Sequence, residues 1–128
     1  SGSYDNTLRV WDLTNDTIQV LGGIPSNDGV NSVMKLNETT IVSGSFDNTL
    51  RVWDLTNDTS RVLNGHTDCV WSVVKLNETM IVSGSGDNTL RVWDLTNNTS
   101  RVLRGHNSSV SSVVKLNETT IVSGSYDN

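Results

Sequence analysis

The chain has two histidines, His66 and His106. A serine and an aspartate follow each at the same distances: Ser83 and Asp87 after His66, Ser123 and Asp127 after His106. These are the side-chain types of nucleophilic acyl transfer, in which an imidazole takes the hydroxyl proton and a carboxylate orients the ring. That chemistry also requires an exposed nucleophile and an oxyanion hole, and the sequence carries no cleft constellation beside these residues. Two histidines in separate copies of a repeat, with no cysteine partners, do not make a zinc ligand set. Cys69 is the only cysteine, so no intrachain disulfide can form. No base is indicated beside it, and it reads as a small core residue or a surface thiol. Its isolation fits a reducing compartment. The expectations are therefore a non-enzyme with no catalytic residue, no metal and no cofactor, located in the cytoplasm.

The elements that must hold these residues come from a repeat. RVWDLTN begins at Arg9, Arg51 and Arg91, and KLNET begins at Lys35, Lys75 and Lys115, 40 residues apart. Two additional residues fall between Arg9 and Lys35, where IPSNDGV (24–30) replaces HTDCV (66–70) and HNSSV (106–110). SGSYDN occupies both 1–6 and 123–128, and SGSFDN and SGSGDN stand at 43–48 and 83–88. Within one period, residues 70–76, 79–85, 89–95 and 100–103 form short segments rich in Val, Ile, Thr and Trp. Each is bounded by Asn, Asp or Gly turn chemistry, and no 3.6-residue pattern competes. Four antiparallel strands per repeat are expected. The recurrent Asn-x-Thr triplets, such as Asn37-Glu38-Thr39 and Asn57-Asp58-Thr59, read as hairpin turns rather than glycosylation signals.

Composition agrees with an all-β chain. Of 128 residues, 34% are hydrophobic, and the 10 glycines are spread through the sequence. The formal net charge is −5, with Lys and Arg placed singly in repeat register, so no basic stripe is available for nucleic acid or an anionic membrane. No apolar run approaches the ~20 residues of a membrane span.

Gly65-His66 followed by Trp93-Asp94, with four strands between and around them, resembles the WD-repeat (tryptophan–aspartate) β-propeller family. The resemblance extends over the whole chain, three times. It implies four-stranded blades arranged round a central channel. It also implies a hydrogen-bonded chain running from the Trp through a second-strand Ser and the His to the turn Asp. One such tetrad is complete: His66, Ser83, Asp87 and Trp93. A second holds His106, Ser123 and Asp127, with its tryptophan supplied by Trp11 of a neighbouring chain. A third has Ser43, Asp47 and Trp53, but Ile24 stands where the histidine belongs. In this setting the Ser, His and Asp satisfy buried polar groups and fix a turn.

Propellers close with roughly 4–8 blades, and three blades leave two apolar faces in water. The terminal segments copy the interior and carry no cap, so head-to-tail contacts are expected. The expected architecture is all-β: three four-stranded blades per chain in a propeller closed by homo-oligomerisation. Chain 1–128 is one unit of three repeats. Residues 23–64 and 65–104 are its two complete blades; 1–22 (third and fourth strands) and 105–128 (first and second strands) are halves of shared blades. A homotrimer of nine blades is favoured over a homodimer of six, because bulky Trp and Val suggest thick blades and a wide ring. Where Ser123–Asn128 meets Ser1–Asn6 of the next chain, one copy of the turn is surplus and is expected to fray. The start at Ser1 reads as a processed, excised or engineered chain.

Differences between the repeats cluster on one face, the one on which members of the resembled family commonly bind partners. The LTN and KLNET turns are identical in all copies, whereas Phe46, Gly86 and Tyr126 differ, as do the links around Pro25–Gly29, Trp71 and Arg104. Phe46, Trp71, Arg104, Tyr126, Pro25 and Asp28 are the candidate contacts for protein or peptide partners. Two readings remain: a scaffold with such a face, or a fragment or engineered building block of a larger propeller with no dedicated ligand.

Overall fold

Aspartate and asparagine at the strand ends determine where the chain reverses. In the computed structural model, which describes residues 8–21 and 29–126, there are twelve strands, joined within each sheet by tight turns. They are β1 (Leu8–Asp12), β2 (Thr17–Leu21), β3 (Val30–Asn37), β4 (Thr40–Ser45), β5 (Leu50–Asp54) and β6 (Thr59–Leu63). β7 (Val70–Asn77), β8 (Met80–Ser85), β9 (Leu90–Asp94), β10 (Thr99–Leu103), β11 (Val110–Asn117) and β12 (Thr120–Ser125) complete the set.

Two kinds of Asx turn recur. Asp54 Oδ1 accepts from the amides of Thr56 (2.9 Å) and Asn57 (3.2 Å), while Asp54 Oδ2 accepts from Asn57 Nδ2. Asp12 and Asp94 do the same in their own hairpins. The next residue but three is left-handed, at φ 55° in Asp16, Asp58 and Asn98, a conformation that Asn and Asp tolerate best after glycine. At the other hairpin of this end, Asn37, Asn77 and Asn117 each accept from both the amide and the hydroxyl of the threonine two residues on. The aspartate of each Trp-Asp pair is thus a turn former. The tryptophan beside it points the opposite way, as strand alternation requires, and in Trp53 and Trp93 that direction is into the sheet stack.

The strands form four antiparallel sheets: β1-β2, β3-β4-β5-β6, β7-β8-β9-β10 and β11-β12. The expected strands are found to within a residue or two, and the two four-stranded sheets span 30–63 and 70–103. The two complete sheets share one register, with Ser43 opposite Arg51 in one and Ser83 opposite Arg91 in the other.

Sheets stack face to face and bury their apolar residues between them. Val42, Leu50, Val52 and Leu63 of the first complete sheet pack with Val70, Val73, Ile81 and Trp93 of the second. Val82, Leu90 and Val92 pack in turn with Val110 and Val113 of the β11-β12 pair. Leu8 of the β1-β2 pair packs with Val30 and Trp53. Glycine is required where the layers come closest. A Cβ on Gly44 would lie 2.7 Å from Val70 Cγ1, and one on Gly84 would lie 2.8 Å from Val110 Cγ1.

The stack is an open row of four sheets, so its outer faces keep apolar side chains in contact with water. Trp11 is 52% exposed, against 6% and 5% for Trp53 and Trp93 at the same repeat position. At the other end Val122 is 54% exposed, whereas Val42 and Val82 are fully buried. Among the described residues no helix is long and apolar enough to cross a membrane.

Candidate functional site

In each complete sheet the serine of the second strand is buried opposite an arginine of the third strand, and its hydroxyl accepts from the tryptophan two positions further along that strand. Trp93 Nε1 donates to Ser83 Oγ at 2.8 Å, and Ser83 is fully buried. His66 Nε2 lies 2.7 Å from the same oxygen, and His66 Nδ1 lies 2.8 Å from Asp87 Oδ2. Asp87 also accepts from the Thr89 amide (3.0 Å), the Thr89 hydroxyl (2.5 Å) and the Thr67 amide (3.1 Å).

Electrostatics fix the direction of this chain. Burial pushes the His66 imidazole below its ordinary 6.5, further than the hydrogen bond and charge of Asp87 raise it. Burial also opposes ionisation of Asp87, but the bonds from Thr89, His66 and Thr67 outweigh it and hold the carboxyl down at about 2. At neutral pH the pair is therefore a neutral imidazole and a carboxylate. The proton sits on Nδ1 and is donated to Asp87. Nε2 is left to accept from the Ser83 hydroxyl, whose oxygen accepts from Trp93.

The atoms paired here, Ser Oγ with His Nε2 and His Nδ1 with Asp, are those of a hydrolytic triad. The surroundings differ. Ser83 is sealed from solvent, and one of its lone pairs is occupied by the indole N–H. A hydroxyl held in that way cannot reach a substrate carbonyl. The complete tetrad predicted from the sequence is brought together with this structural geometry.

The other sets are partial among the described residues. His106 Nε2 lies 2.7 Å from Ser123 Oγ, and Asp127 lies outside the described residues. Trp11, expected to complete that set from another chain, stands in β1 on an exposed face. In the first complete sheet Trp53 Nε1 donates to Ser43 Oγ at 2.9 Å, and Asp47 accepts from the amide and hydroxyl of Thr49. Ile24 lies outside the described residues.

Backbone pairing places the second-to-third-strand turns beside the links between sheets. Phe46 N donates to Gly29 O, Gly86 N to Cys69 O, and Tyr126 N to Ser109 O. The differing residues thus share one end of the stack. Phe46 and Trp71 meet edge to face, with centroids 5.5 Å apart and planes at 87°. Trp71 remains 39% exposed and Tyr126 79% exposed. Arg104 is exposed on the link between β10 and β11. Pro25 and Asp28 lie outside the described residues, as do residues 1–7 and 127–128, where the surplus turn was expected.

Sequence reasoning missed the second serine of the SGS motif. Ser85 Oγ donates to Asp68 O and accepts from the Asp87 amide, tying the link to the turn. Ser45 does the same with Gly29 O and the Asp47 amide. The recurrence of both serines in every repeat was the available signal.

The family model of the WD domain, G-beta repeat, matches residues 1–12, 17–54, 57–94 and 97–128. The chain belongs to the WD40 repeat family. Among solved structures, that of U3-55K matches at a TM-score of 0.88 and 26% identity, covering 98% of this chain and 39% of that one. The RRP9 WD40 repeats match at 0.87 and 26% identity, covering 97% of this chain and 38% of that one. This WD40 chain thus spans about two fifths of the length of the structures it resembles. A search of curated proteins returned no match.

Proposed function

We propose that this WD40 chain is a non-catalytic interaction scaffold that completes its own propeller by self-association. The observation that carries this reading is the mismatch at the two ends of the stack. Trp11 and Val122 are half-exposed at positions whose copies inside the stack are almost entirely buried. The two ends are also complementary. The β11-β12 pair lacks the third and fourth strands of a blade, and β1-β2 supplies two strands of that sequence. Joined, the two pairs make a blade whose register copies Ile41 opposite Trp53 as Ile121 opposite Trp11 of a second copy.

The ring we favour holds three copies and nine blades rather than two copies and six, because bulky Trp53, Trp93 and several Val and Leu side chains fill the spaces between sheets. The end carrying Phe46, Trp71, Arg104 and Tyr126 is the surface offered to protein or peptide partners; exposed aromatic and Arg side chains are what binding surfaces favour. A cytoplasmic setting fits a chain with the single cysteine Cys69.

Light scattering on a sizing column tests the assembly. The expected mass is three times 14.0 kDa. Twice that mass overturns the nine-bladed ring, and the mass of one chain overturns self-association in favour of a piece that further repeats complete. For the face, a partner retained by wild type should be lost from the Phe46→Ser, Tyr126→Ser double variant at unchanged mass; retention of that partner overturns the assignment.

A further inference from the structure

Of the asparagines in the chain, only Asn64 is followed by glycine. It is exposed in the link between β6 and β7, two residues before His66. Other asparagines have their side chains engaged. Asn15, Asn57 and Asn97 donate from Nδ2 to the turn aspartates, and Asn37, Asn77 and Asn117 accept from threonine. Asn31 reaches the Val70 carbonyl, and Asn98 bonds to Arg61. Among the described residues neither the Asn64 side chain nor the Gly65 amide makes a hydrogen bond.

Packing fixes the glycine. A Cβ at residue 65 would lie 2.9 Å from both Cζ and Nη1 of Arg91, whose guanidinium lies against this link. The residue before it is under no such constraint, being Asn64 here and Arg104 one repeat later. An asparagine beside an uncrowded main-chain nitrogen can close a five-membered ring. The Gly65 nitrogen attacks Asn64 Cγ. The N–Cγ bond forms as the Cγ–Nδ2 bond breaks, and ammonia leaves with the proton that the Gly65 amide gives up. Water then opens the succinimide. Cleaving the N–Cγ bond leaves aspartate. Cleaving the original peptide bond leaves isoaspartate, in which the main chain runs through the side-chain carbons. No oxidant or reductant takes part.

We infer that Asn64-Gly65 is a self-modification site whose isoaspartyl form loosens the His66 tetrad. Self-association plays no part in it. The link is held at both ends. On one side Leu63 pairs with Leu50. On the other the His66 ring lies 2.7 Å from Ser83 Oγ and 2.8 Å from Asp87 Oδ2, and the Thr67 amide donates to the same carboxylate. Isoaspartate inserts one more carbon into the main chain between these anchors. A further C–C bond of about 1.5 Å is more than hydrogen bonds of such length absorb.

The full chain is kept warm at mildly alkaline pH and sampled over days. Peptide mass spectrometry locates each gain of one mass unit, an isoaspartyl methyltransferase counts the isoaspartate, and urea unfolding follows stability. Asn64 should convert roughly tenfold or more faster than Asn48 and Asn88, whose following threonine crowds the nitrogen. The urea midpoint should fall in step with the isoaspartate. Asn64→Arg, which copies Arg104, should keep its midpoint over the same interval. Freshly purified Asn64→Asp carries the new charge on an ordinary main chain and should unfold close to fresh wild type. In His66→Ala, where the tetrad is already broken, the same conversion should lower the midpoint several-fold less. An Asn64 that outlasts Asn48 and Asn88 overturns the modification site. Full conversion with an unchanged midpoint, or an equal fall in His66→Ala, overturns its link to the tetrad.

Discussion

Trp93 and His66 share one hydroxyl. The indole Nε1 and the imidazole Nε2 lie 2.8 Å and 2.7 Å from Ser83 Oγ, at a point fully removed from solvent. Deleting that oxygen leaves one donor and one acceptor buried without a partner, and each such group costs roughly 1–3 kcal/mol. Ser83→Ala should therefore destabilise the fold by about 2–3 kcal/mol. Ser43, whose side chain among the described residues bonds only to Trp53, should cost about 1 kcal/mol when changed to Ala. Urea unfolding of both variants at one chain concentration checks the order; equal costs would remove the distinction between the two sites.

The same geometry makes stability depend on pH in two windows. The His66 pKa is lowered by burial, so below about 6.5 the unfolded chain takes up a proton that the folded chain refuses. Stability should thus decline as pH falls through that value. Asp87 acts lower down. Its folded pKa of about 2 lies under the ordinary 3.8, so its contribution is present above 3.8 and is lost as pH falls toward 2. Urea midpoints measured from about pH 8 to pH 2 should show both declines, and His66→Gln should flatten the upper one. An upper decline unchanged in that variant would place its origin elsewhere.

Much of this was legible because the repeat displays its own rules. Strands stood out as β-branched segments between Asn and Asp turns, and the strand expected over 70–76 extends one residue further, to Asn77. The tetrad was readable only through the resemblance to WD-repeat proteins, carried over motif by motif onto His66, Ser83, Asp87 and Trp93. Other features need three dimensions. Phe46 and Trp71 belong to different sheets, and no local pattern announces that their rings meet. Arg61 of β6 reaches across to the Leu95 carbonyl at 2.9 Å and to the Asn98 side chain, a tie set by how the sheets stack.

The turn aspartates offer a milder prediction. Asp94 accepts three hydrogen bonds in its hairpin but does so in water. Its pKa is lowered chiefly by the Asn97 amide, which marks the carboxylate as the form the turn uses. Asp94→Ala should lower the melting temperature by removing the acceptor that holds the turn. Lys75→Ala, which removes a surface bridge of 2.7 Å to Glu78, should cost under about 0.5 kcal/mol. Thermal unfolding of the pair ranks them; a larger loss from Lys75 would contradict the assignment of stability to the turn.

Gly124, the glycine of the last SGS motif, distinguishes an open stack from a closed ring. A Cβ on Gly84 would meet Val110 Cγ1 at 2.8 Å and Val113 Cγ2 at 2.9 Å, so Gly84→Ala should destabilise by about 1–3 kcal/mol through overpacking. At Gly124 the nearest atom to such a Cβ is Ser112 Cβ at 3.9 Å, an ordinary contact. Gly124→Ala should therefore be silent in a lone chain. In the proposed ring the face of Gly124 meets Val30 of the next copy, at the position where Gly84 meets Val110. There the same methyl group should lower the assembled mass, or raise the concentration at which assembly occurs by tenfold or more. Sedimentation across a dilution series reads both quantities. A variant that assembles like wild type would show that Gly124 does not face a neighbouring blade.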